Sequence, residues 1–240
     1  MVVYYKSHSG YVRTNNEDYY IVYRNDNNSG IFIIADGMGG HVSGEVASYL
    51  ASTCLFNYLI TKLEYNKNIE ELLYNSFIWT NEFLNNFIEK NIEYSSMGTT
   101  LLCAIIINDD IYIANVGDSR AYFYNGYQLY QVTEDHSLVY QMYKNGDISK
   151  EQIEIHPQKN IITQAIGLTK DLKVDIYKLS FLSDDNLLLL CTDGLTNMLN
   201  DEYIEKIISN SKIDNLTDDL IEEALRKGGK DNISVISVKK

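Results

Sequence analysis

A chain of 240 residues with a formal net charge of −13 and a pI near 4.7 is long enough to bury one substantial core. Its acidity, with no Lys/Arg-rich run to offset it, argues against binding a phosphodiester backbone and suits a site that gathers divalent cations. Cys54, Cys103 and Cys191 are far apart in apolar stretches, with no Cys-x-x-Cys pair, which points to reduced, buried thiols in a cytoplasmic protein.

Residues 1–6 are β-prone and Ser7-His8-Ser9-Gly10 reads as a turn. Lys6, Ser7 and His8 interrupt the N-terminus before an apolar leader can build, and no apolar run approaches the roughly 20 residues of a membrane span. Aromatic and β-branched residues make 19–23 a strand, followed by a polar break at 25–30. Residues 31–34 form a short apolar run of the doubly covered kind. It ends at Ala35 and hands Asp36 to a loop containing Gly37, Gly39, Gly40 and Gly44. Asp36-Gly37 would be a hairpin turn if a strand followed, but Val46, Ala47, Leu50, Cys54, Leu55 and Tyr58 recur with a helical period, so a helix is expected over 43–63.

A second helix is expected over 69–90, with Leu72, Leu73, Ser76, Trp79, Phe83, Leu84 and Phe87 on its apolar side. Strands are expected at 99–107, 111–116, 121–124 and 128–132, with Asn125-Gly126 the strongest hairpin signal. A short helix follows at 137–143. Residues 145–160 read as an irregular, mobile surface segment, and 173–179 and 187–191 return to strand. Helices at 201–209 and 216–226 and a strand at 233–238 close the chain. With a single proline, Pro157, and no Gly/Ser-rich linker, residues 1–240 are expected to form one α+β domain with helices covering a two-sheet sandwich.

Acids recur at strand ends. Asp36, Asp118 and Asp193 each follow an apolar strand, Asp231 precedes the last one, and Glu17 and Asp18 precede another. Singly, such an aspartate is most often a solvated turn former. Gathered at one edge of a sandwich, several could not all stay ionised without cations. Hard oxygen ligands select Mg²⁺ or Mn²⁺.

The ordered set of motifs is more specific than any of its members. It runs through Gly10-x-x-Arg13-x-x-Asn16-Glu17-Asp18, Ala35-Asp36-Gly37-Met38-Gly39-Gly40-His41, Gly98-Thr99-Thr100 and Ala114-Asn115-Val116-Gly117-Asp118-Ser119-Arg120. It continues with Asp135-His136-Ser137, His156-Pro157-Gln158-Lys159-Asn160, Thr163-Gln164-Ala165-Ile166-Gly167, Cys191-Thr192-Asp193-Gly194-Leu195 and Lys230-Asp231-Asn232-Ile233. In these stretches the chain resembles the compact bacterial form of the PP2C (PPM) family of metal-dependent serine/threonine protein phosphatases.

The resemblance implies a four-layer α-β-β-α sandwich, two antiparallel sheets flanked by helix pairs. It implies a core site for two Mn²⁺ or Mg²⁺ ions, with a weaker third. Asp36 would bridge the two ions, with the Gly37 carbonyl on the second. Asp193 and Asp231 would bind the first, and Glu17 would support the second directly or through water. Asp118, helped by Asp193, matches the third-ion ligand. Arg13 matches the residue that grips the substrate phosphate, and His41 the proton donor to the departing alkoxide. Glu17 and Asp18 are adjacent and point apart on an extended chain, so Glu17 is assigned to metal and Asp18 to accepting bonds behind it. Residues 145–160 fall in the family's flap region.

The expected activity is hydrolysis of phosphoserine and phosphothreonine in proteins by metal-activated water. The expected partners are phosphoproteins including a Ser/Thr kinase, with no nucleic acid or membrane and a monomeric chain. A silent scaffold of the same fold would typically have lost metal acids, which this chain keeps, and a metal-dependent nuclease fits the carboxylates but not the charge. His8 departs from the family, which usually carries Asp there, and this bears on N-terminal bonding more than on activity.

Overall fold

Alternation along the apolar strands sorts side chains onto two faces, and that sorting builds the layers. The computed structural model describes residues 1–25, 28–39 and 43–240. The strands are β1 (Val2–His8), β2 (Asp18–Arg24), β3 (Gly30–Met38), β4 (Gly98–Thr99), β5 (Leu101–Ile107), β6 (Asp110–Val116), β7 (Arg120–Tyr124), β8 (Leu129–Gln131), β9 (Asp175–Ser180), β10 (Leu187–Cys191) and β11 (Ile233–Lys239). The helices are α1 (Ser43–Lys62), α2 (Ile69–Lys90), α3 (Leu138–Asn145), α4 (Lys150–Ile155), α5 (Asp193–Thr196), α6 (Asp201–Asn210) and α7 (Leu216–Arg226).

One sheet has the order β1-β11-β10-β7-β8, the other β2-β3-β5-β6-β9 with β4 added on β3. In β3, Ile31, Ile33 and Ala35 pack with Leu55, Leu59, Leu73 and Phe77 of α1 and α2. Phe32 and Ile34 point the other way, onto Leu188, Leu190, Ile236 and Val238 of the facing sheet. Leu187, Leu189 and Cys191 of β10 turn outward to Ile204, Leu220 and Ile221 of α6 and α7. Helices, sheet, sheet and helices therefore stack in four layers, as the sequence implied. Each fully buried Leu, Ile or Phe contributes about 1.5–3 kcal/mol over leaving it in water, so these faces fix the register.

Some expectations change. The turn foreseen at Ser7 and His8 is strand, because Ser7 and His8 pair with Ser234 and Ile233 of β11. His8 closes the following turn itself, its Nδ1 accepting from the Gly10 N–H at 2.9 Å. β3 does not stop at Ala35 but runs on to Met38, since Asp36 pairs with Asp18 and Gly37 with Thr99. The segment 145–160 contains α4, entered through a capping box between Ser149 and Gln152. On α2 the buried stripe is Leu72, Leu73, Ser76, Phe77, Thr80, Asn81 and Leu84, while Trp79 is 54% and Phe83 39% exposed. Among the described residues no helix is long and apolar enough to cross a membrane.

Candidate active site

The end of the sandwich where β2 and β11 begin and β3 and β10 finish collects the acids. Asp18 and Asp36 face each other across the β2–β3 ladder, an arrangement of like charges that costs stability unless something neutralises them. The Asp36 backbone is held rigidly. Its N–H donates to Thr100 Oγ1 at 2.9 Å, and its carbonyl accepts from Thr99 Oγ1 and the Thr100 N–H at 2.9 Å each. At Gly37 a Cβ would overlap the Gly44 carbonyl, so only glycine lets α1 start against this strand. The Gly37 N–H donates to the Glu17 carbonyl at 3.1 Å, which also accepts from Ser48 Oγ at 2.6 Å.

Asp193 opens α5, just past β10. Its Oδ2 accepts from Asn197 Nδ2 at 2.8 Å, and its Oδ1 is buried without a hydrogen-bond partner. Asp231 precedes β11. Its Oδ1 accepts from the Asn232 N–H and its Oδ2 from Arg13 Nη2, both at 2.9 Å. Asp118 follows Gly117, whose φ of +113° favours glycine. His136 braces that corner, its N–H donating to the Gly117 carbonyl at 3.0 Å and its Nδ1 accepting from the Gly117 N–H at 3.2 Å. With Nδ1 an acceptor, the ring proton sits on Nε2 and is donated to Asp175 Oδ2 at 3.0 Å.

Arg13, Glu17, Asp36, Gly37, Asp118, Asp193 and Asp231 all line one cleft of about 500 Å³. Asp18 lies behind it, buried, with Oδ2 accepting from Thr192 Oγ1 at 2.9 Å and Ser234 Oγ at 2.7 Å and with Oδ1 unpartnered. His41 lies outside the described residues.

Burial dominates the electrostatics. It holds the Asp36 carboxyl well above the usual carboxylate range, and the charges of Asp18, Asp193 and Asp118 push it further. Asp118 is raised in the same way by burial and by Asp193 and Asp135, against the pull of Arg120. Burial and Asp231 raise Asp193, and burial raises Glu17. Asp18 is pushed up to about 7, chiefly by burial, despite its bonds from Ser234 and Thr192. Arg13 is raised by its bond to Asp231. The site thus holds more carboxyl groups than it can keep ionised unaided.

Among the described residues, no three acidic, histidine or cysteine side chains stand as a closed ion-holding cluster. Burial, and after it the charges of neighbouring carboxylates, make Asp36 and Asp193 hard to keep ionised, and Asp231 is taken up by Arg13. The donor set still fits hard divalent cations. It is all oxygen, its buried Asp193 Oδ1 has no hydrogen-bond partner, and cations would offset the repulsion among its carboxyl groups.

Several residues that build the site carry no signal of their own in the sequence. Asn232 Oδ1 accepts from the Glu17 N–H at 2.8 Å, and its Nδ2 donates to the Ser9 and Asn15 carbonyls at 2.9 and 2.8 Å. That one side chain staples the Arg13–Glu17 loop to Asp231. Thr192 and Ser234 anchor Asp18, Asn197 fixes Asp193, and Thr99 and Thr100 fix Asp36. Thr192, Asn232, Thr99 and Thr100 stand inside the quoted motifs, and for Thr192 and Asn232 position beside an acid was the available clue.

The protein phosphatase 2C family model matches residues 7–230. The serine/threonine phosphatase stp of Listeria monocytogenes serotype 4b is 39% identical over 239 residues, 98% of this chain and 94% of the relative. The crystal structure of the serine/threonine phosphatase Stp1 from Staphylococcus aureus matches with a TM-score of 0.89 at 35% identity, over 99% of this chain and 94% of that one. The catalytic domain of the serine threonine protein phosphatase PstP, crystallised with two manganese ions, matches with a TM-score of 0.85 at 28% identity, over 99% of this chain and 97% of that one.

Proposed function

The chain belongs to the protein phosphatase 2C family, and from that premise we propose that its acidic cleft removes phosphate from serine and threonine side chains of proteins. The observation that carries this reading is the convergence of Asp36, Asp118, Asp193, Asp231 and Glu17 with Arg13 on one cleft. The protein is a metal-dependent phosphatase using Mn²⁺ or Mg²⁺. Asp36, Asp193 and Asp231 would hold one ion, Asp36, the Gly37 carbonyl and Glu17 a second, and Asp118 with Asp193 a weaker third. When bound, the ions supply the positive charge that lets water give up a proton near neutral pH and that offsets the phosphoryl oxygens.

The chain's own residues do the rest. Arg13, whose side chain is 52% exposed and tethered to Asp231 by one ion pair, can swing its remaining donors onto a phosphate and fix its orientation. The bonds from Thr99, Thr100 and Asn197 hold the Asp36 backbone and the Asp193 carboxylate before substrate arrives, so little reorganisation is left for the reaction. Asp18 ties β2 to β10 and β11 underneath through Thr192 and Ser234. His41 is assigned to protonate the departing seryl or threonyl oxygen, a poor leaving group that benefits from an acid. Cytoplasmic location, a monomeric chain and a Ser/Thr kinase among the partners complete the reading.

Hydrolysis of p-nitrophenyl phosphate and of a phosphothreonine peptide in Mn²⁺ tests it. Both should be cleaved by the wild type and neither by Asp36→Asn or Asp193→Asn. Wild-type turnover in those variants refutes the assignment.

A further inference from the structure

A second groove, of about 410 Å³, opens beside the acidic cleft and shares Asp118, Asn160 and Asp193 with it. One wall comes from α3 and α4, the other from the start of α6 and the end of α7. Nothing in the chemistry of the phosphoryl site requires this space.

Its floor carries Asp118, Asp193, Asp135 and Asp201, the first two assigned above to metal and the last two both within reach of Arg120. Arg120 grips Asp135 with Nε at 2.9 Å and Nη2 at 2.6 Å, and Tyr122 donates to Asp201 at 2.8 Å. Its lining is different. Lys150, Lys159 and Lys227 reach the groove from three separate elements, and none is ion-paired among the described residues. Lys150 stands next to Glu151, whose carboxylate instead accepts from Ser149 Oγ at 2.6 Å. Lys227 lies over the Tyr203 ring at 5.0 Å. Glu154 also lines the groove and offsets one of the three charges. In a chain of net charge −13, three lysines without an ion pair lining one groove beside the phosphoryl site suit a complementary anion. Ile155 on the same wall is 82% exposed, an apolar contact held out for something.

We infer that this groove receives the polypeptide flanking the phosphorylated residue and selects acidic side chains there through Lys150, Lys159 and Lys227. The inference rests on the phosphatase reading above, since only continuity with that cleft makes a substrate segment the occupant. A free anion would need no apolar wall, whereas a peptide presents both charge and apolar surface.

Exposed charge pairs are individually weak. Three acting together should change kcat/KM by about tenfold, with the difference shrinking as salt screens them. The experiment compares three substrates in Mn²⁺: p-nitrophenyl phosphate, a phosphothreonine peptide with acidic flanks, and one with neutral flanks. The wild type should prefer the acidic peptide. The triple variant Lys150→Gln, Lys159→Gln, Lys227→Gln should lose about tenfold on that peptide and keep its rate on the other two. A triple Lys→Glu version should disfavour the acidic peptide below the neutral one. Equal losses on both peptides, or no loss, overturn the inference. A wild type inactive on all three substrates would instead sink the phosphatase reading itself.

Discussion

Replacing Asn232 with alanine tests whether one side chain holds the Arg13–Glu17 loop in place. The residue is 4% exposed, and the change removes an acceptor from the Glu17 N–H and two donors to the Ser9 and Asn15 carbonyls. A net contribution of about 1 kcal/mol for each bond gives a loss of roughly 3 kcal/mol for three. For a domain of this size each kcal/mol moves the melting temperature by about 2–4 °C, so Tm should fall by roughly 6–12 °C. Arg13 and Glu17 ride on the same loop, so KM for a phosphopeptide should rise even well below the new Tm. Calorimetric unfolding and steady-state kinetics at 15 °C read the two effects separately. A fall in Tm of less than about 2 °C with unchanged KM would refute the reasoning. It would mean that the Gly37 and Ser48 bonds to the Glu17 carbonyl suffice to hold the loop.

Gly37→Ala puts a Cβ into the Gly44 carbonyl and should cost about 1–3 kcal/mol by overpacking, read as a lowered Tm together with lost activity. Asp175 should show its role in a pH titration of stability. Burial works against its charge, but the bonds from His136 and Lys173 outweigh it and lower its pKa. A depressed carboxyl stabilises the folded state above its unfolded value of about 3.9 and loses that contribution as pH falls through the folded value. The stability gap between wild type and Asp175→Asn should therefore be full at pH 6–7 and close below about pH 4; a gap that widens in acid would contradict this. Burial raises Cys103 and pushes Cys191 up to about 12, so neither thiol should react with iodoacetamide at pH 8 until the protein unfolds, as mass spectrometry would show.

The layers were legible because their signals are local. The apolar run Leu187–Cys191 and the periodicity of Ile69–Lys90 set those elements to the residue. β3 was cut short because Asp36, Gly37 and Met38 have no strand preference of their own and are held extended by Asp18, Thr99 and Gly98. α4 was missed although Ser149 and Gln152 carry a capping-box spacing, because a helix of six residues offers little periodicity. Trp79 and Phe83 look like core by hydrophobicity, but the stripe that meets β6 and β9 passes one residue away, through Thr80 and Leu84. In the site, the carboxylates stood out as acids repeated beside apolar strands. Asn232, Thr192 and Ser234 did not, since what they bond depends on backbone and side chains brought from more than a hundred residues away. His136 likewise reads as a lone histidine until Gly117 and Asp175 are placed on its two nitrogens.

The proposed function depends on carboxyl groups that would repel one another until cations join them. Manganese titration by calorimetry on the wild type and on Asp36→Asn, Asp193→Asn and Asp231→Asn, with metal-free Tm measured alongside, addresses this most directly. The expected result is two ions on the wild type, loss of binding in each variant, and a metal-free Tm for Asp36→Asn and Asp193→Asn no lower than that of the wild type, because a repulsive charge has gone. Variants that bind two ions as tightly as the wild type would contradict it.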